Sequence, residues 1–203
     1  MGKKIGLGCL GLGLVAVLAV AAFGVSAYNG LVSLDQAVQA QWAQVENVYQ
    51  RRADLVPNLV ETVKGAAAFE KDTFTAVTEA RSKVGQVNAA GIANDPEAFA
   101  KFQQAQDGLS SALSRLMVVV EKYPDLKATQ NFRDLQAQLE GTENRIAVER
   151  MRFNETAQAF NTKRMSFPTV MIAGFFGSRF NEKVYFKAQA GADAMRDAAG
   201  AAG

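Results

Sequence analysis

The sequence contains no histidine and only one cysteine, Cys9. Histidine is the commonest general base near neutral pH and the commonest zinc ligand, so neither role is available through it. A single cysteine cannot form a disulfide within the chain, and the sequence has no glycine-rich phosphate-binding loop. We therefore expect a protein that is not an enzyme and that uses no cofactor or metal.

Cys9 itself lies inside an apolar run, where two interpretations are open. Only Ile5–Gly8 separate it from Lys4. That stretch is shorter than the apolar segment that lipoprotein targeting requires. A membrane-buried thiol is therefore favoured over a lipid attachment site.

The chain also lacks an excess of charge of either sign. Its 22 Lys and Arg residues face 20 Asp and Glu residues. Two of the lysines, Lys3 and Lys4, precede the apolar run, which leaves 20 charges of each sign beyond it. Binding to a nucleic acid backbone requires concentrated positive charge, so we expect no nucleic acid partner.

The longest uncharged stretch runs from Ile5 to Leu34, and its most apolar part is Ile5–Ala27. At a rise of about 1.5 Å per residue this part is roughly 34 Å long, enough to cross a bilayer core of about 30 Å. A cleaved signal peptide is the alternative, because Val25–Ala27 resembles a cleavage site. The length of the run favours an uncleaved transmembrane anchor, with Tyr28 at the interface.

Lys3 and Lys4 are the only basic residues close to the anchor. The distal flank has Asp35 and Glu46 before its first basic residue, Arg51. The positive-inside rule therefore predicts a single-pass protein of the cell membrane, with a cytoplasmic N-terminus and an extracytoplasmic bundle.

Proline is also scarce, at Pro57, Pro96, Pro124 and Pro168 only. These positions predict helix borders or kinks, and Asp95–Glu97 has the cap, the proline and the acidic residue of a helix start. No stretch alternates like a strand. The predicted fold is all-α: an N-terminal transmembrane helix that continues into an antiparallel helical bundle with long coiled-coil-like helices.

Seven-residue apolar repeats support the bundle. One register contains Val56, Val63, Val77 and Val84. The clearest repeat is predicted to face the core and comprises Phe132, Leu139, Ile146, Phe153 and Phe160, with Phe167 next in the row.

Five polar residues lie in or beside the apolar rows of the chain. Arg52 falls in the row of Leu31, Val38 and Val45, and Gln106 falls in the row of Phe99 and Leu113. Glu70 falls in the register of Val63 and Val77, and Glu143 and Arg150 flank the row that begins at Phe132. Buried charges are costly unless they are paired, so we expect an interior polar network that fixes helix register. The alternative is a ligand site. A di-metal site of the bundle type would need Glu-x-x-His motifs, which a chain without histidine cannot supply.

The chain changes character after Pro168. Residues 170–176 are strongly apolar but too few to span a bilayer. We expect them to pack on the bundle, with a membrane or partner surface as the alternative, and we expect a weakly ordered Ala/Gly-rich tail from Lys187. The predicted domains are an anchor (1–27), a helical bundle (28–168) and this apolar segment with its tail (169–203).

Four sequence blocks carry a resemblance to a known family. They are Tyr28–Val32, Trp42–Lys64 with its Gln50–Val60 centre, Glu121–Lys127, and the stretch from Glu143 through Arg150, Asn154 and Asn161 to Pro168. Together they cover most of residues 28–168, and by them the chain resembles the LemA family of bacterial membrane proteins. Phe69 and Phe153 depart from the polar residues that the family often has there.

The resemblance implies a single-pass membrane protein with a helical bundle and no agreed activity. Family members are associated with membrane protein quality control and envelope stress, and some relatives with magnetosome formation. We therefore predict a membrane-anchored, non-enzymatic binding or scaffold protein of the cell envelope. Its partners would be the lipid bilayer and a protein such as a membrane protease or an envelope protein.

The candidate partner surface surrounds Pro57, where polar side chains are more numerous than a turn requires. It comprises Arg51, Arg52, Asp54, Asn58 and Glu61. The alternative for these residues is local capping and pairing. The alternative function is a self-assembling structural protein, a homo-oligomer that shapes or organises membrane.

Overall fold

The computed structural model describes residues 2–64, 71–87 and 91–187, and for residues 2–10 it describes the backbone alone. Within these ranges the protein is helical and has no strand. The α-helices are α1 (Gly2–Lys64), α2 (Lys71–Gln86), α3 (Pro96–Val120), α4 (Pro124–Lys127), α5 (Gln130–Met165) and α6 (Thr169–Phe175). Short 3-10 helices cover Ile92–Asn94 and Gly177–Phe180. The predicted all-α class is confirmed.

The chain forms two compact units. The anchor unit contains the chain up to Ala40 together with Glu155–Lys183. The bundle unit contains Gln41–Asn154 and the segment that begins at Val184. Each unit therefore combines a part of α1 with a part of α5.

The anchor unit contains the apolar part of α1. Among the described residues, α1 is the one helix long and apolar enough to cross a membrane. Its apolar side chains are mostly exposed, for example Leu12 at 74% and Val20 at 72%. Beyond this stretch the unit has a small core of Ala27, Leu31, Val38, Ala157, Phe160, Ala173 and Phe180. An exposed apolar helix beside a normal buried core is the arrangement expected of a membrane anchor.

The bundle unit has a larger apolar core. Side chains of α1, α2, α3, α4 and α5 form one buried cluster of Val56, Leu59, Val63, Val77, Leu109, Ala112, Leu113, Leu116, Val120, Leu126, Phe132 and Leu139. The register of Val56, Val63 and Val77 is therefore buried as predicted, although these residues come from two helices, α1 and α2. Residues 65–70 between those helices lie outside the described ranges.

Pro57 does not end a helix, so of the two predicted alternatives at this position, a border or a kink, the border is wrong. Pro57 lies inside α1, which continues to Lys64. Proline has no N–H to donate to the carbonyl four residues earlier, which is that of Ala53. Arg81 of α2 supplies the missing donor, with its Nε 2.9 Å from the Ala53 oxygen. A tertiary contact thus satisfies the carbonyl that the proline leaves free.

The other proline predictions agree with the helix starts. Pro96 is the first residue of α3, and the Asp95 carboxylate accepts hydrogen bonds from the N–H groups of Glu97 and Ala98 at 2.9 and 3.1 Å. Pro124 begins α4, and Pro168 directly precedes α6. The local signals of capping and proline placement were sufficient for these boundaries.

The seven-residue repeat of α5 is buried as predicted. Phe132, Leu139, Ile146, Phe153 and Phe160 are each exposed by 8% or less. Phe167, the next residue of the row, is 81% exposed because α5 ends at Met165. The helical spacing that places the other five residues on one face therefore does not extend to Phe167.

The segment between α6 and the predicted tail contains three buried side chains. Phe180 and Lys183 are each 1% exposed in the anchor unit, and Phe186 is 5% exposed in the bundle unit. The tail predicted to be weakly ordered lies, from residue 188 onward, outside the described ranges.

Candidate binding site

An open cavity of about 470 Å³ lies in the bundle unit. Its lining includes Tyr49, Arg52, Gln106, Glu143, Arg150 and Phe186. Four of the five residues of the predicted polar network therefore line one cavity. The fifth, Glu70, lies outside the described residues.

Arg52 is the centre of this arrangement. It projects from α1 and is only 2% exposed. Its Nη2 atom donates to the side-chain oxygen of Gln106 at 2.6 Å and to the Gln106 carbonyl at 3.2 Å. Its Nη1 atom lies 2.8 Å from a carboxylate oxygen of Glu143. A guanidinium is planar and can hold several acceptors at once, so Arg52 connects α1, α3 and α5.

Ser110 completes the network and was not predicted from the sequence. Its hydroxyl accepts a hydrogen bond from Arg52 Nη1 at 2.7 Å and donates to Glu143 at 3.3 Å. Serine is too common on helices to be selected from sequence alone. Only the packing of α3 against α1 and α5 gives this one a role.

The two ends of the ion pair differ in their exposure. The Arg52 side chain is 3% exposed, whereas the Glu143 side chain is 49% exposed. The Nε atom of Arg52 is buried without a hydrogen-bond partner. Unpaired buried donors are rare in folded proteins. The network thus presents a half-exposed carboxylate in front of a buried cation.

Tyr49 and Arg150 line the same cavity as this pair. Tyr49 is 4% exposed, and the Arg52 guanidinium carbon lies 5.2 Å from its ring centre. Burial raises the pKa of Tyr49, while the nearby cations Arg150 and Arg52 partly oppose that rise. A tyrosine is neutral at physiological pH even without this shift, and its phenol can both donate and accept hydrogen bonds.

Arg150 lines the cavity, but the contacts of its guanidinium are to the segment after Val184 and not to Arg52 or Glu143. Its Nη2 atom donates to the Lys187 carbonyl at 2.8 Å, and its guanidinium carbon lies 4.7 Å from the centre of the Phe186 ring. Arg150 therefore holds the segment after Val184 in place at the edge of the cavity. The sequence spacing alone could not reveal this, because it depends on a distant part of the chain.

An aromatic cluster supports the segment that carries Phe186. The ring centres of Trp42 and Phe153 are 5.5 Å apart, and those of Phe99 and Phe186 are 4.7 Å apart. The amide of Asn154 pairs with the backbone of Phe186, donating to its carbonyl at 3.0 Å and accepting from its N–H at 2.9 Å. Phe153 belongs to the predicted apolar row that begins at Phe132, whereas nothing in the sequence pointed to Phe186.

The same kind of amide contact occurs in the anchor unit. Asn161 donates to the Lys183 carbonyl at 2.9 Å and accepts from the Lys183 N–H at 2.8 Å. The Lys183 side chain is 1% exposed, and its ammonium group forms an ion pair with Asp35 and lies 4.6 Å from the centre of the Phe160 ring. A buried lysine requires such a partner.

The predicted partner surface on α1 is divided by the helix. Arg51, Asp54, Asn58 and Glu61 are exposed, whereas Arg52 is buried. Successive helical residues point about 100° apart, so neighbours such as Arg51 and Arg52 face in different directions. Asp54 accepts a hydrogen bond from Gln50 at 2.8 Å, and Lys64 lies 3.9 Å from Glu61. Four of the five residues thus share an accessible face, and two of them, Asp54 and Glu61, interact with neighbouring side chains of the same helix.

The fold and the exposed apolar stretch of α1 define an all-α, membrane-associated protein. The LemA family model matches residues 41–198, which is more than half of the chain, and the chain belongs to the LemA family.

Three relatives illustrate the range of the family. The chain is 28% identical to magnetosome protein MamQ of Magnetospirillum gryphiswaldense, over 79% of this chain and 68% of that protein. It is 28% identical to magnetosome protein MamQ 2 of Paramagnetospirillum magneticum, over 88% of this chain and 72% of that protein. It is 24% identical to protein LemA of Metamycoplasma hominis, over 71% and 63% respectively.

Proposed function

We propose that the protein is a membrane-anchored, non-enzymatic binding protein of the cell envelope and that the cavity around Arg52 binds a protein partner. The observation that carries this proposal is the combination of a buried arginine, a half-exposed Glu143 and an open cavity of about 470 Å³. A chain without histidine lacks the commonest general base, which favours binding over catalysis.

The lining of the cavity favours a polar segment of a protein over a uniformly charged ligand. Arg52 and Arg150 provide positive charge, and Asp107 and Glu143 provide negative charge. Met151, which is 55% exposed, adds apolar contact area. Such a mixed surface can accept both donors and acceptors of a peptide, as protein interfaces commonly do. A membrane protease or another envelope protein is the kind of partner that the family association suggests.

Photocrosslinking in native membranes tests the cavity. A photoreactive amino acid replaces Met151, which lines the cavity and is 55% exposed, or Val118, which is 63% exposed and does not line it. We expect a discrete crosslinked protein from position 151 and none from position 118. When Arg150→Ala is added to the protein that carries the photoreactive residue at position 151, the crosslinked product should disappear. Equal products from both positions, or none from position 151, would contradict the proposal.

The exposed face of α1 is a second place for a partner to bind. Arg51→Ala/Asp54→Ala removes two charges from that face without touching the core. If this face contributes, pull-down from solubilised membranes should recover less partner with the folded double variant. Unchanged recovery would restrict binding to the cavity.

We further propose a single pass, with the N-terminus in the cytoplasm and the bundle outside it. In a Cys9→Ser background, cysteine in place of Val118 should react with a membrane-impermeant reagent once any outer membrane has been made permeable. Protection until the inner membrane is broken would reverse the orientation. The positive-inside rule and the position of Lys3 and Lys4 support the proposed direction.

Self-assembly is the second candidate function. A Cβ atom added at Gly11, Gly13 or Gly24 would meet nothing within 4 Å, so these glycines leave open space along the apolar part of α1. Small residues allow close approach of a second helix in lipid. Size analysis of the full chain in mild detergent decides: a monomer at all concentrations would contradict assembly.

A further inference from the structure

The apolar segment around α6 exposes side chains that a water-facing surface would not favour. Thr169 and Ala173, one turn apart, are buried at 2% and 5% and hold α6 to the anchor unit. The opposite side is open, with Phe175 85% and Met171 67% exposed. Phe167, just before the helix, is 81% exposed. A patch of this kind on a small segment marks an interaction site.

The position of α6 on α1 indicates what this patch meets. A cleft of the anchor unit is lined by Ala21, Gly24, Val25 and Tyr28 of α1 and by Met171, Ile172, Phe175 and Phe176. The rings of Tyr28 and Phe176 lie with their centres 4.8 Å apart. The α1 side of the cleft thus consists of the last apolar turns of the anchor. Ala21 precedes Ala27, the end of the predicted span, by about 9 Å along the helix.

The patch is therefore continuous with the exposed apolar surface of α1, where Val25 is 62% exposed. If residues 5–27 cross the bilayer, side chains that contact Ala21 and Val25 lie at the depth of the acyl chains nearest the headgroups. Moving the exposed apolar side chains from water into that layer is favourable, because the free energy gained is proportional to the apolar area removed from water, as it is in folding.

The charges around the segment fit the same location. No charged residue occurs from Met165 to Ser178, whereas Lys163, Arg164 and Arg179 flank this stretch. Arg179 lies 5.9 Å from the Tyr28 ring centre, and the Lys163 side chain reaches within 4.0 Å of a Cβ built at Gly30. An apolar centre with basic edges and aromatic residues is the composition of a segment that lies in a bilayer interface and attracts anionic headgroups.

We propose that the α6 patch, residues 167–176, inserts into the leaflet in which α1 ends and forms a second, monotopic membrane contact. The occupant of the exposed face is lipid, with acyl chains against Phe167, Met171 and Phe175 and anionic headgroups near the flanking basic residues. This inference rests on the membrane anchor of the proposed function but not on its cavity.

Depth-dependent fluorescence quenching tests the proposal. The full chain with Cys9→Ser receives one cysteine, at Phe175, Val25 or Val118, and is labelled with an environment-sensitive fluorophore. It is then reconstituted into phosphatidylcholine/phosphatidylglycerol vesicles whose lipids carry a nitroxide either near the headgroup or near the chain end. We expect the nitroxide near the headgroup to quench the probe at position 175 by about twofold or more, and the nitroxide near the chain end to quench it less. Neither nitroxide should quench the probe at position 118.

Each outcome is informative. Quenching at Val25 but not at Phe175, at every protein density, overturns the proposal, because the exposed face of α6 then stays out of the bilayer. Quenching at 175 that appears only after dilution to less than one chain per vesicle also overturns it, because a second copy then occupies the face. Loss of quenching at Val25 itself would instead contradict the membrane anchor. Met171→Cys provides a second position in case the label at 175 perturbs the segment.

Discussion

The Nη1 atom of Arg52 lies 2.8 Å from a carboxylate oxygen of Glu143, a residue 91 positions away along the chain. The pair connects a buried cation on α1 to a half-exposed carboxylate on α5. Glu143→Ala removes the anionic partner and leaves Arg52 its bonds to Gln106 and Ser110. We expect the free energy of unfolding to fall by about 1–3 kcal/mol, less than for a fully buried pair because water reaches Glu143.

Denaturant unfolding of the full chain in detergent measures this loss. Glu140→Ala is the matched control, because Glu140 is an exposed glutamate of the same helix. The control should change stability by less than about 0.5 kcal/mol. Equal effects of the two substitutions would show that the ion pair contributes nothing beyond a surface charge.

The α5 repeat predicts a second stability effect. Ile146 is 5% exposed and central in the row of buried residues, so Ile146→Ala should leave a cavity and lower stability by about 2–5 kcal/mol. Val148→Ala on the same helix is the control, since Val148 is 40% exposed. The same unfolding measurement compares the two. A loss below about 0.5 kcal/mol for Ile146→Ala would mean that this face is not core.

The hydrogen bond from Arg81 to the Ala53 carbonyl predicts a coupling with Pro57. Arg81→Ala should lower stability by about 1–2 kcal/mol, because it leaves that carbonyl without a donor. In a Pro57→Ala background, residue 57 regains its N–H and restores the helical bond. Arg81→Ala should then cost less than about 0.5 kcal/mol. A double-mutant cycle measures the difference, and an equal cost in both backgrounds would refute the explanation.

The amide of Asn161 predicts a local effect on the segment after α6. Asn161→Ala removes both of its bonds to the Lys183 backbone, with an expected loss of roughly 2–4 kcal/mol. Hydrogen exchange at the Lys183 N–H should become faster. Asn144→Ala, an exposed asparagine of the same helix, should leave that exchange unchanged. Unaltered protection of Lys183 in Asn161→Ala would show that the amide does not hold the segment.

Tyr49 predicts a dependence of stability on alkaline pH. Burial raises the pKa of Tyr49 above its ordinary value of about 10, so the folded protein keeps the phenolic proton after the unfolded chain has lost it. The free energy of unfolding should therefore fall as the pH rises from about 10 toward the folded pKa, with no effect of this group below that range.

Unfolding between about pH 9 and pH 11 should show this decline in the wild type and a smaller one in Tyr49→Phe. Tyr185→Phe is the control, because Tyr185 is 39% exposed. The control should retain the decline of the wild type. A Tyr49→Phe protein with the same pH profile as the wild type would contradict the assignment.

The local features of the fold followed from the sequence. The buried row from Phe132 to Phe160 was predictable because a helix places residues at a fixed spacing on one face, and that spacing can be read from the sequence. The α3 start at Asp95 and Pro96 was predictable for a related reason, since a cap is made within a few residues. Family membership was recognisable because its sequence blocks are specific.

Other features depended on contacts between distant segments. Pro57 remains inside α1 because Arg81 of another helix bonds to the free carbonyl, and no local pattern contains that information. Arg51 and Arg52 were assigned to one partner surface because polar side chains are numerous around Pro57, and Arg52 was also placed in the interior network. The helix leaves Arg51 exposed and buries Arg52. Arg52 bonds to Gln106 and Glu143, two other members of the predicted polar network, and a buried cation requires such pairing. The interior network as a whole stays a prediction.

The amino-acid sequence by itself determined which residues are helical, which faces are apolar and where an anchor could span a membrane, because these properties depend on periodicity and composition. The tertiary structure decided which polar groups meet. Ser110, Arg150, Asn161 and Phe186 acquire their roles only when segments far apart in sequence pack together. Hydrogen bonds and ion pairs require distances of a few ångströms, and sequence spacing does not specify those between helices.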